Sequence, residues 1–212
     1  MRVKICGITQ LAQGLEIVDL GATSLGFICV QESPRYLIPE KIKAISQKLP
    51  SKVDKVGVFA NHSAAEIIAV VEQGSLTSVQ LHGKESPDFC RQLRTQLSGM
   101  EIIKAFRIKS ATSLEETKAY SDCVDTLLLD AYHPQMLGGT GQTIDWQDLE
   151  QFDPPLPWLL AGGLTPDNVV IALARLKPNG IDLSSGVERS PGDKDLGKVA
   201  QLFGVINQQP LM

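Results

Sequence analysis

Arg2-Val3-Lys4-Ile5-Cys6 runs straight into Gly7-Ile8-Thr9, a short strand that ends in a turn and feeds a helical pattern. Alternate side chains of a strand face the same way, so Val3 and Ile5 share one face and Lys4 and Cys6 the other. If the apolar pair packs against helices, Lys4 and Cys6 point toward whatever the strands enclose. A thiol at the carboxyl end of a parallel strand stands where such sheets hold their active sites. A free cysteine is more often a small buried hydrophobe, so the remaining strands must decide.

Apolar runs and breakers predict strands near 2–6, 24–29, 54–59, 77–82, 101–107, 124–130, 157–162 and 180–184. Helical patterns fall between them, near 10–20, 40–48, 63–72, 87–97, 112–120 (weak), 145–150, 166–176 and 195–206. Eight strand-helix units with right-handed crossovers predict an α/β fold, a single-domain (β/α)8 barrel with a parallel eight-stranded sheet. A doubly wound open sheet gives a similar string. All twelve prolines fall outside strand interiors. Ser86-Pro87 and Thr165-Pro166 read as N-cap and N1 pairs.

At 212 residues and 43% hydrophobic, the chain suits one well-buried domain over 1–212 and is short for two. No linker, charge block or repeat divides it. A net charge of -4 gives no general attraction to nucleic acid or an anionic membrane. No leader or run of ~18 apolar residues is present, so a soluble cytoplasmic protein is expected. Cys6, Cys29, Cys90 and Cys123 lack paired spacing, and the three histidines stand at no helical ligand spacing, so neither disulfide nor metal is expected.

Sorting the strand residues by parity leaves one face apolar, while the other collects Lys4, Cys6, Gln80, His82, Lys104, Asp130, Asp182 and Ser184. Unsatisfied buried polar groups cost about 1 to 3 kcal/mol each, so these should be paired or used. The bland alternative is an ion-pair network of Lys4 or Lys104 with Asp130 or Asp182 that serves only the core.

The seventh strand ends in Ala161-Gly162-Gly163-Leu164 and the eighth in Asp182-Leu183-Ser184-Ser185-Gly186-Val187-Glu188. In barrels the loops after these two strands, with the start of a short extra helix, form the common phosphate site. Gly162, Gly163, Ser184, Ser185 and Gly186 would supply it through close main chain and hydroxyl donors. The simpler reading is a turn and a helix cap. Two longer loops follow strands two and six: Val30 to Ile38 carries Ser33-Pro34-Arg35-Tyr36, and Ala131 to Thr143 carries Gly138-Gly139-Thr140-Gly141. Arg35 offers a planar fork for a carboxylate, though a solvated surface arginine is the commoner outcome. The glycine run lacks dinucleotide-binding spacing.

Together, Lys4-Ile5-Cys6-Gly7-Ile8-Thr9, Ser33-Pro34-Arg35-Tyr36, Val79-Gln80-Leu81-His82-Gly83, Leu128-Leu129-Asp130, Gly138-Gly139-Thr140-Gly141, Ala161-Gly162-Gly163-Leu164 and Ser184-Ser185-Gly186-Val187-Glu188 resemble phosphoribosylanthranilate isomerase of tryptophan biosynthesis. The match runs in order from residue 3 to 188. Departures are Ile144, where phenylalanine is frequent before Asp145-Trp146, and Cys29 in place of an apolar residue. The resemblance implies a cofactor-free Amadori rearrangement of a phosphorylated aminosugar, with Cys6 as general base and Asp130 as general acid. Arg35, His82 and Asp182 would lie against the substrate, with Arg35 on its aromatic carboxylate. It leans toward a monomer, with a dimer left open. The assignment asks for a thiolate at Cys6, with Lys4 its stabiliser, and for an Asp130 pKa raised by burial or by Asp182.

Rivals remain. A metal-dependent epimerase would need more histidine and aspartate ligands than His82 offers. Indoleglycerol-phosphate synthase would pair an inward lysine with glutamates, and a dual-substrate isomerase would show two phosphate cradles. A non-catalytic phosphosugar-binding barrel would tolerate loss of Cys6 and Asp130.

Overall fold

The computed structural model describes residues 1–108, 111–131 and 147–208. Eight parallel strands close into a barrel in sequence order: β1 (Arg2–Cys6), β2 (Ser24–Ile28), β3 (Asp54–Phe59), β4 (Ser78–Leu81), β5 (Glu101–Ile108), β6 (Thr126–Ala131), β7 (Trp158–Ala161) and β8 (Gly180–Leu183). The ring is sealed where β8 pairs with β1, placing Lys4 opposite Asp182. The helices are α1 (Leu11–Asp19), α2 (Pro39–Ser46), α3 (Ala64–Gly74), α4 (Pro87–Gln96), α5 (Ala111–Glu115), α6 (Gln147–Glu150), α7 (Val169–Arg175) and α8 (Leu196–Asn207). The closed ring settles the choice between a barrel and an open sheet. Among the described residues no helix is long and apolar enough to cross a membrane.

Strand parity builds two cores. Val3, Ile5, Leu25, Val79, Leu81, Leu127, Leu129, Ile181 and Leu183 face outward into the layer beneath the helices, while Val56, Ile103, Ala105, Leu128, Leu159 and Ala161 fill the barrel. Each such valine, leucine or isoleucine contributes roughly 1.5–3 kcal/mol when fully buried. The amino-terminal end of the barrel is closed by a polar layer. Arg2 donates to Ser24 and to both oxygens of Glu101, Thr126 donates to Glu101, and Ser24 donates to Asp54. The carboxyl-terminal end is left for loops.

Four sequence expectations need correcting. Ser86 does cap α4, accepting from the Phe89 amide with Pro87 in the first turn, but Thr165-Pro166 does not start α7. That helix begins after Asn168, whose side-chain oxygen accepts from the Thr165 amide and holds the preceding turn instead. The weak pattern at 112–120 divides into α5 and a 3-10 turn over Glu116–Tyr120. A two-stranded antiparallel ribbon, β9 (Glu188–Ser190) with β10 (Asp193–Lys194), follows β8 and was not anticipated.

Lys104 is the fourth. Ile103 and Ala105 fill the barrel, so Lys104 points outward. There its ammonium donates to the carbonyls of Leu81, Gly83 and Ala105 and to Glu85. It belongs to a buried clamp under the β4 loop, not to the interior set. Gly138-Gly139-Thr140-Gly141, Ile144 and Asp145-Trp146 lie outside the described residues.

Candidate active site

A cavity of about 490 Å³ opens at the carboxyl-terminal end of the strands, a volume that suits a small organic ligand. All ten residues singled out from sequence line it: Cys6, Arg35, His82, Asp130, Gly162, Gly163, Asp182, Ser184, Ser185 and Gly186. The parity rule explains this convergence, because each is the last inward residue of its strand or sits in the loop just beyond.

Cys6 is buried at the end of β1. Lys4, one inward position below and fully buried, donates to Asp182 Oδ2 at 2.9 Å. The core ion pair that rivalled the functional reading therefore exists, between Lys4 and Asp182, and it lies directly beneath the cavity. Asp182 Oδ1 and Gln80 Oε1 are buried acceptors with no hydrogen-bond partner among the described residues. A ligand hydroxyl or amine would satisfy both.

Burial pushes the Cys6 thiol above its ordinary range, and this outweighs the pull of Lys4 and Lys194 toward the thiolate. The expected stabilisation by Lys4 is present, yet it does not decide the direction. Cys29, in the outer core, is pushed by burial up to about 12. Asp130 moves as expected: burial raises it, with Asp182 adding and with His82 and Arg107 opposing. His82, lowered chiefly by burial, stands with Nε2 3.9 Å from Asp130 Oδ2, and its Nδ1 lies 3.0 Å from Gln80 Nε2.

The loops after β7 and β8 form a cradle of small residues. Gly162 and Gly163 have φ of 93° and 63°, values that suit glycine. A Cβ on Gly186 would overlap the carbonyl oxygen of Leu164. The 3-10 turn Ser185–Val187 follows β8 directly, and Ser184 Oγ donates to the Cys6 carbonyl at 3.1 Å.

Arg35 reaches the cavity, but its fork is already engaged. Its Nε and Nη2 donate to Glu188, so the arginine is neither a solvated surface group nor wholly free. Glu188 also accepts from Lys194, a fully buried lysine whose Nζ donates to the Cys6 carbonyl. Sequence reasoning passed over Lys194 because only the β9–β10 ribbon brings it under Cys6. It also passed over two residues that parity could have found. Gly26 is a register partner of Cys6, and a Cβ there would lie 2.6 Å from Cys6 Sγ. Arg107 shares the inward face of β5 with Ile103 and Ala105 and lines the cavity.

Fold and site together define a (β/α)8 barrel with a ligand cavity at the carboxyl-terminal ends of its strands. Residues 3–205 match the family model described as "N-(5'phosphoribosyl)anthranilate (PRA) isomerase". The chain is 64% identical over 203 residues to a protein of Gloeothece citriformis (strain PCC 7424) named N-(5'-phosphoribosyl)anthranilate isomerase, covering 96% of this chain and 92% of that one. The phosphoribosyl anthranilate isomerase of Thermotoga maritima superposes with a TM-score of 0.88 at 36% identity, over 99% of this chain and 100% of that one. A phosphoribosyl anthranilate isomerase in complex with reduced 1-(o-carboxyphenylamino)-1-deoxyribulose 5-phosphate superposes at 0.84 with 34% identity, over 99% of this chain and 100% of that one. The chain belongs to the N-(5'-phosphoribosyl)anthranilate isomerase family.

Proposed function

We propose that the chain converts N-(5-phosphoribosyl)anthranilate into 1-(2-carboxyphenylamino)-1-deoxyribulose 5-phosphate, the isomerisation step of tryptophan biosynthesis, using its own side chains. The observation that carries the reading is that Cys6 and Asp130 line one cavity beside the cradle of Gly162, Gly163, Ser184, Ser185 and Gly186. A relative bound to the reduced product supports it.

The cradle takes the phosphate. Asp130, protonated, gives its proton to the ribose ring oxygen as the C1′–O bond breaks, and the anilino nitrogen lone pair forms the Schiff base. Cys6, as thiolate, removes the C2′ proton, and the electron pair moves to leave an enolamine. Tautomerisation at C1′ and C2′ completes the ketone. Asp182 Oδ1 and Gln80 Oε1, both without a partner among the described residues, accept from sugar hydroxyls or the bridging N–H.

Burial raises both the acid and the base. The working form, thiolate with carboxylic acid, is one tautomer of the singly protonated pair, and the pair titrates as a unit. Between the two pKa values its share stays constant.

We infer a monomer as the working unit, since the proposed acid, base and phosphate cradle line one cavity within a single barrel. Four free, buried cysteines support a reducing, cytoplasmic setting. The test is to mix enzyme with freshly made N-(5-phosphoribosyl)anthranilate and follow the adduct's fluorescence. Decay beyond the uncatalysed rate is expected, and its absence overturns the reading.

A further inference from the structure

We propose that Lys194 is the positioning residue behind the base: from the β9–β10 ribbon its ammonium clamps the Cys6 carbonyl and leaves a surplus positive charge beside the thiol. The inference rests on the isomerase reading and adds the group that favours its thiolate.

Lys194 is absent from the cavity wall and fully buried, so it reaches the chemistry only through its neighbours. Its main chain is fixed from α1, where Gln13 Oε1 accepts from the Lys194 amide at 3.0 Å and Gln13 Nε2 donates to the Lys194 carbonyl at 3.2 Å. The Thr9 hydroxyl holds the turn of the ribbon by donating to the Gly192 carbonyl. The lysine side chain then ends on three acceptors, the carbonyls of Cys6 and Ser184 and Glu188 Oε1. Three donated bonds require the ammonium, since a neutral amine has two hydrogens. Burial pulls the Lys194 pKa below its ordinary range, and Glu188 opposes that pull.

The clamp sets geometry. The peptide between Cys6 and Gly7 is held on both edges: the Gly7 and Ile8 amides donate to the Gly26 carbonyl, while the Cys6 carbonyl accepts from Lys194 and Ser184. Gly7 has φ of 80°, so the chain turns sharply just past the thiol. The opposed bonds fix the Cα–Cβ direction from which Sγ hangs.

The clamp also sets charge. The groups facing the thiol are Lys4 on its own strand, Cys29 and Arg35 beyond β2, Asp182 on β8, and Glu188 and Lys194 on the ribbon. Lys4 and Asp182 form a matched pair at 2.9 Å. Arg35 and Lys194, by contrast, share the carboxylate of Glu188. One positive charge is therefore left over in this group among the described residues. Burial pushes Cys6 up, with Asp182 adding, and Lys4 and Lys194 pull it back. Since Asp182 offsets much of Lys4, the lasting pull comes from the ribbon.

The experiment titrates Cys6 directly, through the pH dependence of its alkylation by iodoacetamide, read by mass spectrometry of the Cys6 peptide in wild type, Lys194→Met and Glu188→Gln. Lys194→Met removes the charge yet leaves Glu188 bonded to Arg35 and to the Gly192 amide, so a folded variant is expected. Its alkylation midpoint should rise by about one pH unit or more, and its kcat should fall by up to about 10-fold with KM nearly unchanged. Glu188→Gln removes an anion and should lower the midpoint; this arm decides alone should Lys194→Met fail to fold. A ribbon that only braces β1 would move both midpoints the same way or neither. An unmoved or lowered midpoint in Lys194→Met, or an unmoved or raised one in Glu188→Gln, overturns the proposal. Alkylation needs no turnover, so a wild type that fails to isomerise the substrate refutes the isomerase reading while the midpoints still judge Lys194.

Discussion

Gly26→Ala places one methyl group against the proposed base. The ideal Cβ lies 2.6 Å from Cys6 Sγ, 3.1 Å from Cys6 Cα and 3.1 Å from Lys4 Nζ. Ordinary contact begins near about 3.5 Å, so the sulfur must retreat by about 1 Å or the strands must part. Lys4 cannot yield freely, since its ammonium is fixed to Asp182 at 2.9 Å. Misplacing a reacting atom by about 1 Å costs on the order of 10²-fold in rate. The expected result is a kcat lowered by that factor. Stability should fall by roughly 0 to 2.5 kcal/mol, because overpacking costs about 1–3 kcal/mol while replacing a strand glycine returns about 0.5–1 kcal/mol. Steady-state kinetics of the anthranilate adduct and urea unfolding of the same preparation measure the two effects. A variant that keeps kcat within about threefold of wild type at near-normal stability would show that the thiol's position does not limit the reaction.

Cys6→Ser and Asp130→Asn should each lower kcat by ~10²-fold or more with modest change in KM; near-normal turnover in either removes that residue from the mechanism. With burial raising both groups, kcat/KM should be bell-shaped in pH. It should fall at low pH, where both groups are protonated, and at high pH, where both are ionised. A low-pH limb that persists unshifted in Asp130→Asn would disprove that assignment. Glu188→Gln leaves Lys194 buried without its carboxylate and releases Arg35, so it should cost about 3–5 kcal/mol in urea unfolding. Burial alone would raise Glu188, but Arg35 and Lys194 carry its pKa below the ordinary range. Its contribution is thus present above about pH 4.3, the unfolded value, and is lost as pH falls through the lower folded value. Wild type and variant should converge in stability under acid, and a constant gap across pH 2 to 7 argues against the pair.

The barrel was legible because its signal is periodic: strand and helix alternate to the end, and breakers mark the joints. The site was legible where parity and strand position sufficed. Cys6, Asp130 and Asp182 are inward residues at strand ends, and one rule places all three in the cavity. The rule was misapplied on β5, where a lysine between apolar neighbours looked like another interior polar group. Its acceptors are mainly the backbone carbonyls of Leu81, Gly83 and Ala105, which no residue pattern displays. The same slip hid Arg107, three positions on and facing in. The direction of the Cys6 shift depends on how completely the closed barrel shuts out water, a property of the assembled ring. Lys194 was invisible because it meets Cys6 only through tertiary closure, 188 positions later in the chain.

That last separation governs when the enzyme can become active in a cell. The thiol leaves the ribosome long before the groups that pin its carbonyl, Ser184 and Lys194. At about 5–20 residues per second, roughly 10 to 40 seconds of translation separate the two. A nascent or truncated product lacking β8 to β10 would carry the proposed base on an unsealed edge strand, with its carbonyl unpinned.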